Sequence, residues 1–278
     1  MRVAKETVAS LLIYIIAPAV IFNSVFTSPI AANILFLPIL FFIVCCLICL
    51  AAFTAAKYFW TDATKNILAF AAGSGNTGYF GLPVAIALFG PNVAGLVVAS
   101  ILGFILFENS LGFFITARGH HTAKESLIRV LKLPTIYAFA IALILNLFGL
   151  KLGQGYADFA VLFRGAYTVL GMMLIGLGLA SIVNYKFDFK FVSIAFLAKF
   201  IVWPAIIFGI IVLDNAFFGF FNLQIHKVMI LMAIVPLAAN TVAYATELDA
   251  HPEKASFAVL LSTLFALFYI PLISLLFL

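Results

Sequence analysis

Two Asn-Thr pairs stand out in a chain of 278 residues that is 66% hydrophobic. The first, Asn76 and Thr77, lies in AAGSGNTGYFGLPVAIALFG, Ala71 to Gly90, among Gly73, Gly75, Gly78 and Gly81 and ahead of Pro83. The second, Asn240 and Thr241, follows Pro236 in VPLAANTVAY. Amides and hydroxyls beside interrupted backbone are suited to binding: their N–H groups hold an anion and their oxygens ligate a cation. Two charged residues join them as candidates, Glu108 beside Asn109 and Lys199, each embedded in an apolar run. Charges at such depth are costly and usually functional. They can serve as a structural ion pair with each other, or Glu108 can be a proton-coupling carboxylate.

The elements that must position these residues are membrane helices. Only 9% of the residues are charged, against about 25% in soluble domains, and the mean hydropathy is +1.25. A helix crosses the hydrocarbon in about 20 apolar residues. Nine stretches qualify, near Val8–Thr27, Ile34–Ala56, Ile67–Phe89, Val93–Thr116, Pro134–Leu150, Val161–Val183, Phe191–Leu213, Ile225–Glu247 and Ala255–Leu278. The runs are continuous rather than alternating, which excludes a β-barrel. The apolar stretch near the N-terminus is too long for a cleaved signal and reads as a retained span. Cys45, Cys46 and Cys49 fall within one span and read as small apolar fillers.

Basic residues set the orientation, because cytoplasmic loops are enriched in them. Taken alternately, the termini and loops on the N-terminal side hold eleven: Arg2, Lys5, Lys57, Lys65, Arg118, Lys124, Arg129, Lys132, Lys186, Lys190 and Lys254. The opposite side holds three: Lys151, Arg164 and Lys227. The N-terminus is therefore expected in the cytoplasm and the C-terminus outside, in a multi-pass protein of the cell (inner) membrane. The net charge of +5 marks inward-facing loops and requires no nucleic acid. The His120–His121 doublet of the central loop has the donors for a metal but no third ligand at useful spacing, and reads as solvated, as do His226 and His251 near span ends. Glu247 and Asp249 also read as solvated at a span end, with Glu247 placed to help a cation site.

The two Asn-Thr pairs interrupt helices at mid-span. Inside a helix Gly costs about 1 kcal/mol and Pro about 3 relative to Ala. Broken backbone survives at membrane depth only where protein or a water-filled cavity encloses it. A kinked helix with glycines for close packing explains one such stretch, but the feature recurs. Asn76 and Asn240 stand 164 positions apart, Tyr14 and Tyr167 are similarly placed, and each break is followed by a proline-containing turn and a long apolar helix. An odd number of crossings separates the two, so the halves face opposite ways, the inverted repeat of alternating-access carriers. The expected organisation is a four-span half over 1–117 with a broken helix at about 67–89, and a basic cytoplasmic loop at 118–133. A five-span inverted half follows over 134–278, broken at about 225–247, and the first half lacks its opening helix.

GNTGYFGLPVAIALFG, VPLAANTVAYATELDAHPEKASFAVLLSTL and LLIYIIAPAVIFNSV, the last with an internal Pro18, together resemble the auxin efflux carrier family, which includes malate permease-like proteins. The resemblance covers essentially the whole chain. It implies a bile-acid-symporter-like fold of inverted five-helix repeats whose two broken helices cross, with scaffold and core domains interleaved across both halves. This sequence matches the second to tenth helices. The resemblance also implies that the Asn and Pro positions at the crossing are those the family uses.

The expected site therefore comprises Gly75, Asn76, Thr77, Gly78, Pro83, Pro236, Asn240 and Thr241, with Glu108 and Lys199 as coupling candidates. The expected activity is secondary transport of a small organic carboxylate, coupled to H+ or Na+, with no cofactor and no metal. The bilayer is one partner, and a homodimer is compatible with the sequence. No constellation of paired carboxylates, HExxH or Cys/His suggests an enzyme. A channel or a non-transporting sensor on the same fold is the alternative.

Overall fold

A computed structural model describes residues 4–28, 36–180 and 188–277. Among them all regular structure is helical. Arg2 and Lys186 of the charge count, the start of the span expected from Ile34, the end of that expected at Val183, and Leu278 lie outside the described residues.

Among the described residues six helices are long and apolar enough to cross a membrane. They are α1 (Lys5–Phe26), α2 (Phe36–Ala56), α5 (Ala94–Ala117), α8 (Gln154–Ala180), α9 (Phe189–Phe218) and α12 (Pro252–Phe277). Between them lie α3 (Thr64–Gly73), α4 (77–89), α6 (Ala123–Leu131), α7 (Pro134–Leu147), α10 (Leu223–Ile234) and α11 (Asn240–Glu247). A seventh crossing results if α6 and α7, bent by 48° at their junction, act as one. The count of nine is thus not met by length alone. The spans expected at 67–89 and 225–247 are each two half-helices, α3 with α4 and α10 with α11, and neither half reaches across by itself.

The stretch 118–133, expected as a solvated loop, contains α6. Its start is a capping box: Glu125 N–H donates to Thr122 Oγ1, and Thr122 N–H donates to the Glu125 carboxylate. This satisfies two of the backbone donors that a helix start leaves open.

Widened turns punctuate the long helices. They occur at Leu12–Ile16, Thr77–Gly81 and Ala198–Val202, ahead of Pro18, Pro83 and Pro204. Proline has no N–H and its ring collides with the carbonyl four residues back, so the preceding turn opens into a π-bulge. At Pro204 the freed carbonyl is that of Phe200, and the Tyr269 hydroxyl donates to it at 2.7 Å. A further bulge, Glu108–Gly112, has no proline. There Asn109 Nδ2 donates to the Ile105 carbonyl at 2.9 Å and Ser110 Oγ to that of Leu106. Side chains that bond back into the helical ladder open it in this way. Both buried charged candidates, Glu108 and Lys199, are carried on bulges.

The helices around the first break are pressed together. α2 packs against both α3 and α5. A Cβ on Gly73 would lie 2.8 Å from the Cys45 carbonyl and 2.9 Å from Cys49 Cβ, so the small cysteines allow α3 to approach. Cys45 and Cys49 are fully buried. A Cβ on Gly103 would lie 2.5 Å from the Pro38 carbonyl oxygen and 2.9 Å from Phe42 N. These are backbone atoms and cannot swing aside. Gly103→Ala is expected to destabilise the protein by about 1–3 kcal/mol, the cost of overpacking, seen as a lowered midpoint in detergent thermal unfolding.

Several residues read as solvated are engaged. His226 is buried, with Nε2 3.0 Å from Asp214 Oδ2, while Asp214 also accepts the Phe220 and Phe221 N–H groups. The Asp214 and His226 side chains are buried beneath an exposed turn, so these polar groups satisfy one another. His251 bridges Asp62 at 3.1 Å and Glu253 at 3.2 Å. His120 Nε2 lies 3.0 Å from the Asp249 carbonyl. Glu247 accepts the Ser10 hydroxyl at 2.8 Å, linking α11 to α1.

Candidate functional site

The two breaks touch. α3 ends at Gly73 and α10 at Ile234, and the Asn76 N–H donates to the Pro236 carbonyl at 2.8 Å. Broken backbone at this depth must find partners for its orphan groups, and it does. The Ala72 carbonyl accepts Trp203 Nε1 at 2.7 Å, and the Ser74 carbonyl accepts Lys199 Nζ at 3.2 Å. Leu237 N–H donates to Ser262 Oγ at 3.1 Å, and the Asn76 carbonyl accepts Gly81 N–H at 3.0 Å. Each break is held open by specific bonds from the other break or from a neighbouring helix.

Asn240 begins α11 and is fixed from two sides. Tyr167 on α8 donates its hydroxyl to Asn240 Oδ1 at 2.7 Å, and Asn240 Nδ2 donates to Glu108 Oε2 at 2.7 Å. This pair of bonds sets the orientation of the amide. Glu108 is only 4% exposed, so its carboxylate depends on that bond. The neighbouring Asn109 accepts the Tyr244 hydroxyl at 3.0 Å, tying the same bulge of α5 to α11.

Lys199 is fully buried, with Nζ 4.6 Å from the Trp203 ring and 5.7 Å from that of Phe104. The ion pair entertained between Glu108 and Lys199 is absent: among the described residues no salt bridge joins them. Asn240 Nδ2 takes the carboxylate and the Ser74 carbonyl the ammonium.

A cavity of about 300 Å³ lies between α4, α8 and α12, with Asn76, Tyr79, Ile175, Val259 and Thr263 in its wall. Asn76 is 5% exposed, and among the described residues its side chain makes no hydrogen bond to protein. A buried, unpartnered amide in a cavity wall is a site ready for a ligand. Tyr79, also in the wall, packs against Tyr167 with tilted rings 5.0 Å apart, which connects the cavity to Asn240 and Glu108. Thr241 Oγ1 is buried without a partner.

The candidates therefore divide. Gly75, Asn76, Thr77, Pro236 and Thr241 are buried and Asn240 is partly so, all at or beside the crossing. Gly78 and Pro83 are exposed, and a Cβ on Gly78 would meet nothing within 4 Å. They lie in the first two turns of α4. Tyr14, matched to Tyr167 by its place in the sequence, is 38% exposed. Residues not singled out as ligands, namely Ser74, Trp203, Ser262 and Tyr167, complete the site. Only Tyr167 carried a signal, as a lone tyrosine in an apolar span.

Residues 3–274 match the model of a family described as membrane transport protein. An uncharacterised transporter of Methanocaldococcus jannaschii is 27% identical over 272 residues, spanning 95% of this chain and 86% of its own length. An uncharacterised transporter of Methanothermobacter thermautotrophicus is 27% identical over 275 residues, spanning 96% and 87% respectively.

Proposed function

The chain belongs to the membrane transport protein family, the auxin efflux carrier group, and from that premise we propose that it carries a small organic carboxylate through the membrane by alternating access. The observation that carries this reading is the unpartnered Asn76 amide in the cavity wall where the two broken helices touch. The N-termini of α4 and α11 lie at this crossing, and half-helix N-termini favour an anion. An inverted repeat is supported by matching order. α2, the α3–α4 break and α5 follow one another as α9, the α10–α11 break and α12 do.

The proton is the coupling ion in this reading, and Glu108 is its acceptor. The Asn240 amide donates to the Glu108 carboxylate. A substrate carboxylate that takes this donor brings a second negative charge close to the first in a low-dielectric site. Two such charges cannot both persist, so one carboxyl takes up a proton. Proton and substrate then bind together and cross together. The protein works in the cell membrane with its N-terminus in the cytoplasm, as the distribution of basic residues favours.

Reconstitution in proteoliposomes, with a panel of carboxylates and separate proton and sodium gradients, tests the reading. A carboxylate is expected to be taken up under the proton gradient. Asn76→Ala is expected to raise the half-saturating concentration about 10-fold or more, since a hydrogen bond to a charged group contributes about 1.5–3 kcal/mol. Unchanged saturation would remove Asn76 from the site, and no uptake of any carboxylate would remove the function.

A further inference from the structure

The crossing has an electrostatic demand opposite to that of the substrate end. α3 stops in mid-protein, and its last carbonyls form the negative pole of a half-helix, equivalent to about half an elementary charge. Water normally meets such a pole, but here the backbone is fully buried through Ala72, Gly73 and Ser74. The Lys199 ammonium meets it instead. It donates to the Ser74 carbonyl at 3.2 Å and lies 4.6 Å from the face of Trp203 and 5.7 Å from that of Phe104. Among the described residues no carboxylate forms a salt bridge with it.

A main-chain carbonyl and aromatic faces are what a desolvated monovalent cation accepts as partners. The surrounding structure is fitted to this ammonium. A Cβ on residue 75 would lie 2.6 Å from Nζ, so the glycine at Gly75 leaves the room the ammonium occupies. The bulge Ala198–Val202 aims the side chain across to α3, 125 positions away in sequence.

We propose that Lys199 is a tethered cation: its ammonium fills the place at the end of α3 where a coupling alkali cation would otherwise bind, so that the protein neither binds nor uses sodium there. A side chain cannot leave with the substrate. This charge stays with the protein through the cycle, and the coupling must come from elsewhere. The transport consequence rests on the carrier reading above, whereas the cation site can be tested without any substrate.

The test is thermal unfolding of the purified protein and of Lys199→Ala, in sodium, lithium, potassium and choline chloride at one ionic strength. The wild-type midpoint is expected to be the same in sodium and choline. Lys199→Ala is expected to unfold earlier in choline and to regain about 3 °C in sodium or lithium as the vacated place fills. Sodium-specific stabilisation of the wild type would overturn the proposal, as would a folded Lys199→Ala that responds equally to all four salts. Should Lys199→Ala fail to fold, the wild-type response decides, since it requires no variant. In proteoliposomes at a fixed pH difference, wild-type uptake is expected to be unchanged by a sodium gradient, and a dependence on sodium would overturn it too. If no carboxylate is taken up at all, the carrier reading fails while the thermal measurement still decides the role of Lys199.

Discussion

Glu108→Gln is expected to abolish proton-driven accumulation while leaving substrate binding in place. One proton moving with one monovalent carboxylate makes a pH difference of two units support an accumulation of about 100-fold, because each tenfold ratio corresponds to about 1.4 kcal/mol. The glutamine keeps the shape of the side chain and offers an oxygen to Asn240 Nδ2, which bonds Glu108 at 2.7 Å in the native protein. It cannot take up a proton. The accumulation ratio should therefore fall to about 1, while exchange of labelled for unlabelled substrate continues. Binding should also lose its pH dependence, because no second carboxylate competes for the Asn240 amide. Accumulation at the wild-type level in Glu108→Gln would show that the proton is carried elsewhere or that another ion drives transport.

Gly75→Val is expected to give the largest loss of stability at the crossing. The first carbon of the new side chain would lie 2.6 Å from Lys199 Nζ, 3.1 Å from Val235 Cγ2 and 3.4 Å from Phe104 Cε1. The ammonium can swing away only by giving up the Ser74 carbonyl, and an uncompensated buried charge costs about 3–5 kcal/mol. The two further methyl groups press on Val235, beside the Pro236 carbonyl that takes the Asn76 N–H at 2.8 Å. Overpacking adds about 1–3 kcal/mol. The measurable outcome is a strongly lowered unfolding midpoint in detergent, with uptake lost in whatever folded fraction can be reconstituted. Gly75→Ala should be milder, because it lacks the two further methyl groups that press on Val235. A wild-type midpoint and wild-type uptake in Gly75→Val would mean that the breaks do not meet as described.

Both variants act on geometry that only part of the sequence foretells. The breaks were legible because glycine, proline and asparagine are costly inside a helix and, in lipid, have to be justified by a local role. Gly73, Gly75 and Pro236 therefore mark the interruptions without reference to the rest of the chain. The helix at Ala123–Leu131 was missed, although Thr122 and Glu125 stand at capping-box spacing, because the basic stretch reads as a solvated loop.

The choice of partners was not legible. Glu108 and Lys199 look like an ion pair in one dimension, yet they bond Asn240 and Ser74, 132 and 125 positions away. Successive residues of a helix point about 100° apart, and a single π-bulge shifts that phase for everything beyond it. Gly75 and Asn76, in the non-helical break, are buried at the crossing, whereas Gly78 and Pro83, in the first turns of α4, are exposed. The sequence by itself determined that this chain is helical, lives in lipid and breaks two of its helices, because those outcomes follow from transfer and backbone costs that add residue by residue. Which buried donor meets which acceptor was decided by the tertiary structure, because it depends on the rotation and offset of helices far apart in the chain.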